Sequence, residues 1–591
     1  MAFSDKLSAL RSKLAELGID AAIVPRADEH LGEYVPPSAE RLSWLTGFTG
    51  SAGLAAVTAS RAAVFSDGRY TLQLQAETDG SLWERRHLTE EPAPRWLAEA
   101  GAKRVGYDPW LISDDALRPY QAAGLEMVPL SSNPVDAVWT DRPAPPAGLA
   151  AIHALDVAGR SSADKRREIA AQLRSAGIRA AVLSDPASVN WLFNIRGEDV
   201  GFTPFLLGFA ILHDDASAIL FTDPAKIPPA VRTWLGNDAT VSGRDSLADA
   251  LAEFGGEKVR LDTQTSPAWF AQRLRAAGAT IDVGLDPCML PKACKNDVEQ
   301  QGSRAAHLRD GIAATRFLHW LDTALARGET VSELSAAARL LAFRHEMTGF
   351  RGESFPAITG AGEHGAIVHY RASPASDRVL GRNEVYLIDS GGQYDCGTTD
   401  ITRTVWTGPD GVPASIRDRF TRVMRGHIAI ARLVFPAGLT GAHIDGFARA
   451  ALWQAGLDYD HGTGHGVGSY LSVHEGPVSL SRATRPVPLA AGMILSDEPG
   501  YYETGVYGIR IENLVLVQKA DFPATTRSFL NFETLSLAPF DPRLLDAALL
   551  APDERDWIDA YQQRVRETLT PYLDAETTVW LAQATRKIEA R

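Results

Sequence analysis

Residues 14–24 read LAELGIDAAIV and residues 173–183 read LRSAGIRAAVL, and this pair decides the fold of the first half. Leu, Gly, Ile, Ala and Ala are identical at a constant offset of 159, and two further apolar positions are conservatively swapped. Three more echoes follow in the same order. Trp44-Leu45 with Gly50 returns as Trp191-Leu192 with Gly197, AVFSD (63–67) as AILFTD (218–223), and KRVGYD (103–108) as EKVRLD (257–262). An internal repeat of this kind sets the architecture before any local propensity does. Each copy opens on an amphipathic helix; in the first, Leu7, Leu10, Leu14 and Leu17 keep the three-and-four spacing of one buried face. Gly18 and Gly177 supply the positive φ that ends each helix. The short apolar strands Ala21–Val24 and Ala180–Leu183 come next. The expected result is two similar α/β domains, 1–150 and 151–287, joined by the Pro/Ala-rich stretch DRPAPPAGLAA at 141–151.

Composition bounds the rest. The 591 residues are 45% apolar and 22% charged with 34 prolines, the balance of a core-forming globular chain of three or four domains. Lys and Arg number 59 against 73 Asp and Glu, a net charge of −14 with no basic cluster, which argues against nucleic acid as the main partner. Charged residues interrupt the N-terminal stretch, so no signal peptide is expected. The apolar run from Phe205 to Leu212 is too short to span a membrane, so no membrane partner is expected either. Cys288, Cys294 and Cys396 cannot form a disulfide framework and lack zinc-site spacing. These features describe a soluble protein of a reducing compartment.

The texture changes near 292. A helical segment from Asp297 to Arg327 leads into strands that surround four unusually polar strings. These are GAIVHY (365–370), LIDSGGQYDCGTTDITRTVW (387–406), HGTGHGVGSYLSVHEGP (461–477) and ILSDEPGYYETGVYGIRIENLVLV (494–517). VYLID and TDITRTVW read as a hairpin whose mouth carries Asp389 and Asp400, the latter on one face with Thr402 and Thr404. Asp is a poor strand former, so two at one mouth call for solvent or a cation. Glu512 sits within an apolar strand and must be paired, protonated or metal-bound; Arg510, two residues earlier, offers the simplest partner. Glu498 lies beside a proline turn, and His465 in a glycine-rich segment that permits close backbone approach. Four carboxylates and one imidazole match two divalent cations in charge. The mostly oxygen donor set favours manganese over a thiolate-type zinc site.

With these strings the chain resembles the pita-bread metallopeptidases, and from end to end it is similar to the three-domain, cytosolic Xaa-Pro aminopeptidases. The resemblance includes EHLGEYVPPSAERLSWLTGFTGSAG (29–53), FSDGRY (65–70), NWLFNIRG (190–197) and all four polar strings. It implies two creatinase-like α/β domains, a pita-bread α+β catalytic domain over 288–525, and a helical extension over 526–591. By the same resemblance Asp389 holds one metal, Asp400 and Glu512 bridge both, and His465 and Glu498 hold the other. Glu498, His369 and His474 become the catalytic side chains. Arg69, His369, His461, His465, His474 and Arg510 line the substrate. The implied protein is a cytoplasmic homodimer with two metal ions per chain that acts on peptides with proline second. The tail supports its own placement: Trp557, Tyr561 and Val565, with Ile558 beside them, form an amphipathic stripe.

Three strings mislead. GAGEHG (360–365) fits a dinucleotide pattern, but AIVHY after it reads as a strand where a helix is required. DSGG (389–392) has no matching serine-protease context, and His461 and His465 enclose GTG rather than a helix with a glutamate. Two rival functions stay open. A prolidase acting on Xaa-Pro dipeptides is disfavoured by the duplicated N-terminal domain, and a non-catalytic pita-bread binding protein by the full ligand set.

Overall fold

The repeated strands become the centres of two sheets with one topology. In the computed structural model, which describes residues 1–522 and 526–589, the first sheet runs in the order 84–87, 62–66, 54–58, 21–25, 104–107, 126–129. The second runs 239–242, 218–221, 209–213, 180–183, 258–261, 280–283. Each echoed pair of strands occupies the same place in its sheet. Both central strands pair antiparallel on one side and parallel on the other, Ala21 opposite Val105 and Ala180 opposite Val259. Their continuous apolar runs follow from burial on both faces. Ala22, Val24, Ala55 and Val57 enter one core, whereas Ala21, Ile23 and Ala56 enter the other. The helix Phe3–Glu16 buries Leu7, Leu10 and Leu14. Leu17 was expected on that face but is 39% exposed, because the helix ends at Glu16 and Gly18 turns the chain away at φ +63°.

These sheets belong to one compact unit, Met1–Leu155 with Arg160–Met289; a second comprises Asp156–Gly159 and the chain from Leu290 onward. In the second unit Asn296 caps the helix Asp297–Ala326 by accepting from the N–H groups of Val298 and Glu299. A three-stranded sheet joins 358–361, 385–390 and 401–406. A six-stranded sheet runs 435–436, 529–534, 513–520, 494–497, 464–466, 475–480. The hairpin expected from VYLID and TDITRTVW is present, with a smaller one (Gly392–Tyr394, Gly397–Thr398) inserted at its mouth.

Two sequence expectations are corrected here. AIVHY is no strand: Gly362–Ala366 is a 3-10 turn, and Ile367 packs beside Ile358, Tyr370 and Leu387. GIRIENLVLV is not one strand but two, Tyr507–Arg510 and Asn513–Ala520, with Glu512 in the break. The tail helix Pro552–Leu569 sends Ile558, Tyr561 and Val565 into one core with Val385, Trp406 and Ile511, while Trp557 packs at its edge. The domain limit set at 525 lies outside the described residues, as do 590 and 591. Among the described residues no helix is long and apolar enough to cross a membrane.

Candidate metal centre

Register brings the acids together. Asp389 faces Thr402 and Ser390 faces Ile401, so Asp389 and Asp400 leave the same end of their hairpin. Glu498 and Glu512 come from the larger sheet, where two neighbouring strands part. Asp497 opposite Asn513 is the last pair, and pairing resumes only at Gly500 opposite Arg510. Within that gap the Glu498 N–H donates to the Thr463 carbonyl at 2.8 Å, and the Glu512 N–H to the Thr402 carbonyl at 3.3 Å. His465 stands on the adjoining strand Gly464–Gly466, which pairs with Leu495 through Gly466.

The side chains converge. Asp400, His465 and Glu512 each present a ligand atom, all within 4.8 Å of one another. His465 Nε2 lies 3.5 Å from Asp400 Oδ2 and 3.5 Å from Glu498 Oε1. That is long for a hydrogen bond. Imidazole and carboxylate donors this far apart suit a shared first-row cation better than a hydrogen bond. His465 Nδ1 donates to the Gly466 carbonyl at 3.0 Å, leaving the Nε2 lone pair aimed at the acids. Asp389 Oδ1 and Asp400 Oδ1 are buried and accept no hydrogen bond. Buried acceptors without donors, around an imidazole lone pair, are the donor set that divalent cations require.

Little protein charge balances the four acids. Arg510 Nη2 sits 2.6 Å from Asp389 Oδ2, so it serves Asp389 rather than Glu512, the partner suggested by spacing. Glu512 Oε2 instead accepts from the Thr402 hydroxyl at 2.7 Å. Burial, then Asp400 and Asp389, push the Glu512 carboxyl well above its usual range. Burial also raises Asp389, against the pull of Arg510. Glu498 rises to about 7, again chiefly through burial. Burial alone would lower His465, but Asp400 and Glu498 outweigh it and raise the ring to about 9. Without a cation the cluster therefore favours protons, which a metal would displace.

The other candidates divide. His474 meets the His465 ring edge-on, with centroids 4.3 Å apart. His461 Nε2 lies 2.9 Å from the Tyr502 hydroxyl, whose oxygen accepts from Arg510 Nη1 at 2.8 Å. This chain runs His461, Tyr502, Arg510, Asp389. His369 follows Val368, whose carbonyl lies 3.4 Å from Arg510 Nη1. Arg69 lies in the first unit, where it holds Asp67 with two hydrogen bonds of 2.9 and 2.7 Å. Sequence reasoning passed over Tyr502 and Ser496, and it placed Thr402 on the face of Asp400 without giving it a task. The Ser496 hydroxyl accepts from the His465 N–H at 2.9 Å and donates to Glu498 Oε1 at 3.1 Å. Its spacing, two residues before Glu498 on one strand face, was the available signal.

Comparison with known proteins fits this geometry. Residues 301–519 match metallopeptidase family M24, and residues 528–588 match the C-terminal region of that peptidase. Aminopeptidase P1 of Lotus japonicus is 36% identical over 98% of this chain and 99% of its own. The chain belongs to metallopeptidase family M24. Residues 6–138 and 141–299 each match the creatinase/prolidase N-terminal domain, so the M24 unit follows two creatinase-type domains, as the repeat implied. Xaa-Pro aminopeptidase 2 of Sus scrofa is 37% identical over 99% of this chain and 89% of its own. Among solved structures, the X-prolyl aminopeptidase of Caenorhabditis elegans is described as a cytosolic enzyme with a di-nuclear active site. It superposes with a TM-score of 0.94 at 31% identity, covering 100% of both chains.

Proposed function

We propose that this M24 chain is a metal-dependent aminopeptidase that removes an N-terminal residue preceding proline. The observation that carries the reading is the set of four acids and one imidazole converging where two acceptor oxygens are buried without donors. Asp389, Asp400, His465, Glu498 and Glu512 would hold two divalent cations, with Asp400 and Glu512 shared between them. When bound, the cations supply Lewis acidity, making water a nucleophile near neutral pH and polarising the scissile carbonyl. Glu498 takes a proton from the attacking water and returns it to the proline nitrogen. His369 and His474 donate hydrogen bonds to the substrate as negative charge develops on its carbonyl oxygen. His461 and Arg510 complete the substrate contacts; for Arg69, of the first unit, family resemblance is the sole support. A cluster rich in carboxylates also suits a free α-amino group, which favours cleavage at the chain end.

The same reading gives domains at 1–150, 151–287, 288–525 and 526–591, manganese as the metal, and a cytoplasmic homodimer. The oxygen-rich donor set supports manganese, the internal repeat supports the first two domains, and family resemblance supports the rest. Digestion of matched peptides tests the function. Release of the first residue should be at least about tenfold faster from a tripeptide with proline second than from one with alanine second. Chelator should abolish it and manganese restore it. Preference for an Xaa-Pro dipeptide would indicate a prolidase, and metal-independent inactivity on every peptide a binding protein.

A further inference from the structure

His427 stands in the helix Ala414–Ala431 with no exposed surface, and the mechanism above makes no use of it. Its Nδ1 lies 3.0 Å from the Asp497 carbonyl oxygen and 3.0 Å from Asp497 Oδ2. Its Nε2 lies 3.1 Å from Asn513 Nδ2. Asp497 and Asn513 are the last pair before the two strands part, and the next residues outward are Glu498 and Glu512. One imidazole thus holds both strands at the fork from which the two glutamates project.

Hydrogen positions follow from the surroundings. Asn513 Oδ1 accepts from Arg403 Nη2 at 2.8 Å and lies 3.4 Å from the Tyr561 hydroxyl. The Arg403 guanidinium, a donor only, fixes the amide with its oxygen toward Arg403 and its NH2 toward His427. The ring therefore accepts at Nε2 and carries its hydrogen at Nδ1, donating toward Asp497. Arg403 extends the support: Nη1 donates to the Glu512 carbonyl at 2.7 Å and to the Thr402 carbonyl at 2.9 Å. Tyr561 belongs to the C-terminal helix, and its hydroxyl also lies 3.0 Å from Arg403 Nη2. Packing alone does not account for the imidazole. His427 meets Phe540 and Trp557 edge-on, at 5.8 and 5.9 Å between centroids, and a phenyl ring would satisfy both contacts.

We propose that His427 is a positioning residue that sets the separation of Glu498 and Glu512, and that Asn513, Arg403 and Tyr561 tie this fork to the C-terminal helix. The inference rests on the reading that both glutamates hold cations. Its test is manganese titration of metal-free wild type and His427→Phe, followed by electron paramagnetic resonance of the loaded proteins. Two ions and an exchange-coupled pair in wild type are the check on the metal assignment itself. In His427→Phe the pair of ions should bind about tenfold or more weakly, most of all at the site that Glu498 serves, with the coupled signal replaced by that of isolated manganese. Turnover should fall by a similar factor while KM stays within about threefold. A packing role alone would lower the melting temperature and leave the titration unchanged. Tyr561→Phe keeps the core shape and removes the hydroxyl that accepts from Arg403 Nη2; its manganese binding should weaken severalfold. It decides the matter if His427→Phe does not fold. Wild-type affinity and coupling in the folded His427→Phe, or failing that in Tyr561→Phe, would overturn the proposal.

Discussion

At the scale of single residues, the site is a problem of buried negative charge. A carboxylate withdrawn from water needs a proton, a donor or a cation. Arg510 meets one acid and Thr402 another, and the rest of the demand falls on protons until metal arrives. Glu498 makes this measurable. Its carboxyl, lifted from 4.5 to about 7, holds a proton in the metal-free fold that a cation must displace. Metal affinity should therefore fall with falling pH, by about tenfold from pH 8 to pH 6 through this group alone. The sign for stability is opposite to that of an ordinary salt-bridged acid. A raised carboxyl stabilises the metal-free fold below 4.5, and that contribution is lost as pH rises through about 7. Calorimetric titration at the two pH values checks the binding claim; affinity that is flat or improves at pH 6 would contradict it. Asp389 and Asp400 were legible in the sequence because Asp is unusual in a strand. Thr402, Ser496 and Tyr502 were not, because hydroxyl residues are ordinary there and only tertiary pairing reveals their task.

At the scale of elements, close backbone approach fixes where His465 stands. A Cβ added at Gly464 would lie 1.9 Å from the Ser496 carbonyl oxygen, a backbone atom that cannot swing aside. Ser496 also bonds both His465 and Glu498, so moving its strand disturbs two ligand positions together. Gly464→Ala should cost about 2 kcal/mol or more of stability, as overpacking does. It should also weaken metal binding, checked by thermal melts and titration; a melt shift with wild-type metal affinity would separate the strand from the site. The hairpin around Asp389 and Asp400 was legible from its two strand-like runs and its glycine turn. The break at Glu512 was hidden because Ile511, at its edge, is as buried as any strand residue. AIVHY misled for a related reason: Ile367 packs apolar surface from a turn, and so short a run does not distinguish turn from strand.

At the scale of the whole chain, duplication was the strongest sequence signal because it constrains a complete sheet. The equivalent strand orders of the two N-terminal sheets are its physical counterpart. The tail was legible through its stripe: Ile558, Tyr561 and Val565 are buried in the core of the second unit, Trp557 packs at its edge, and Leu569 extends the buried face. What the stripe could not show is that Tyr561 also reaches Asn513, beside Glu512. Four such side chains are worth roughly 1.5–3 kcal/mol each on burial, comparable in sum to the 5–15 kcal/mol stability of a typical domain. A chain ending at Ala551 should therefore lose the cooperative unfolding transition of the catalytic unit in scanning calorimetry. A wild-type transition in that truncated chain would mean the tail is dispensable to the core.

The central claim, that these acids share two cations, is tested most directly at Asp400. Asp400→Asn keeps the shape of the side chain and removes one charge from the position proposed to bridge both ions. Titrating manganese into metal-free wild type and Asp400→Asn, with metal counted per chain, reads this out. The account predicts two equivalents in wild type and the weakening of both sites together in the variant. Two equivalents bound by Asp400→Asn with wild-type affinity would contradict it.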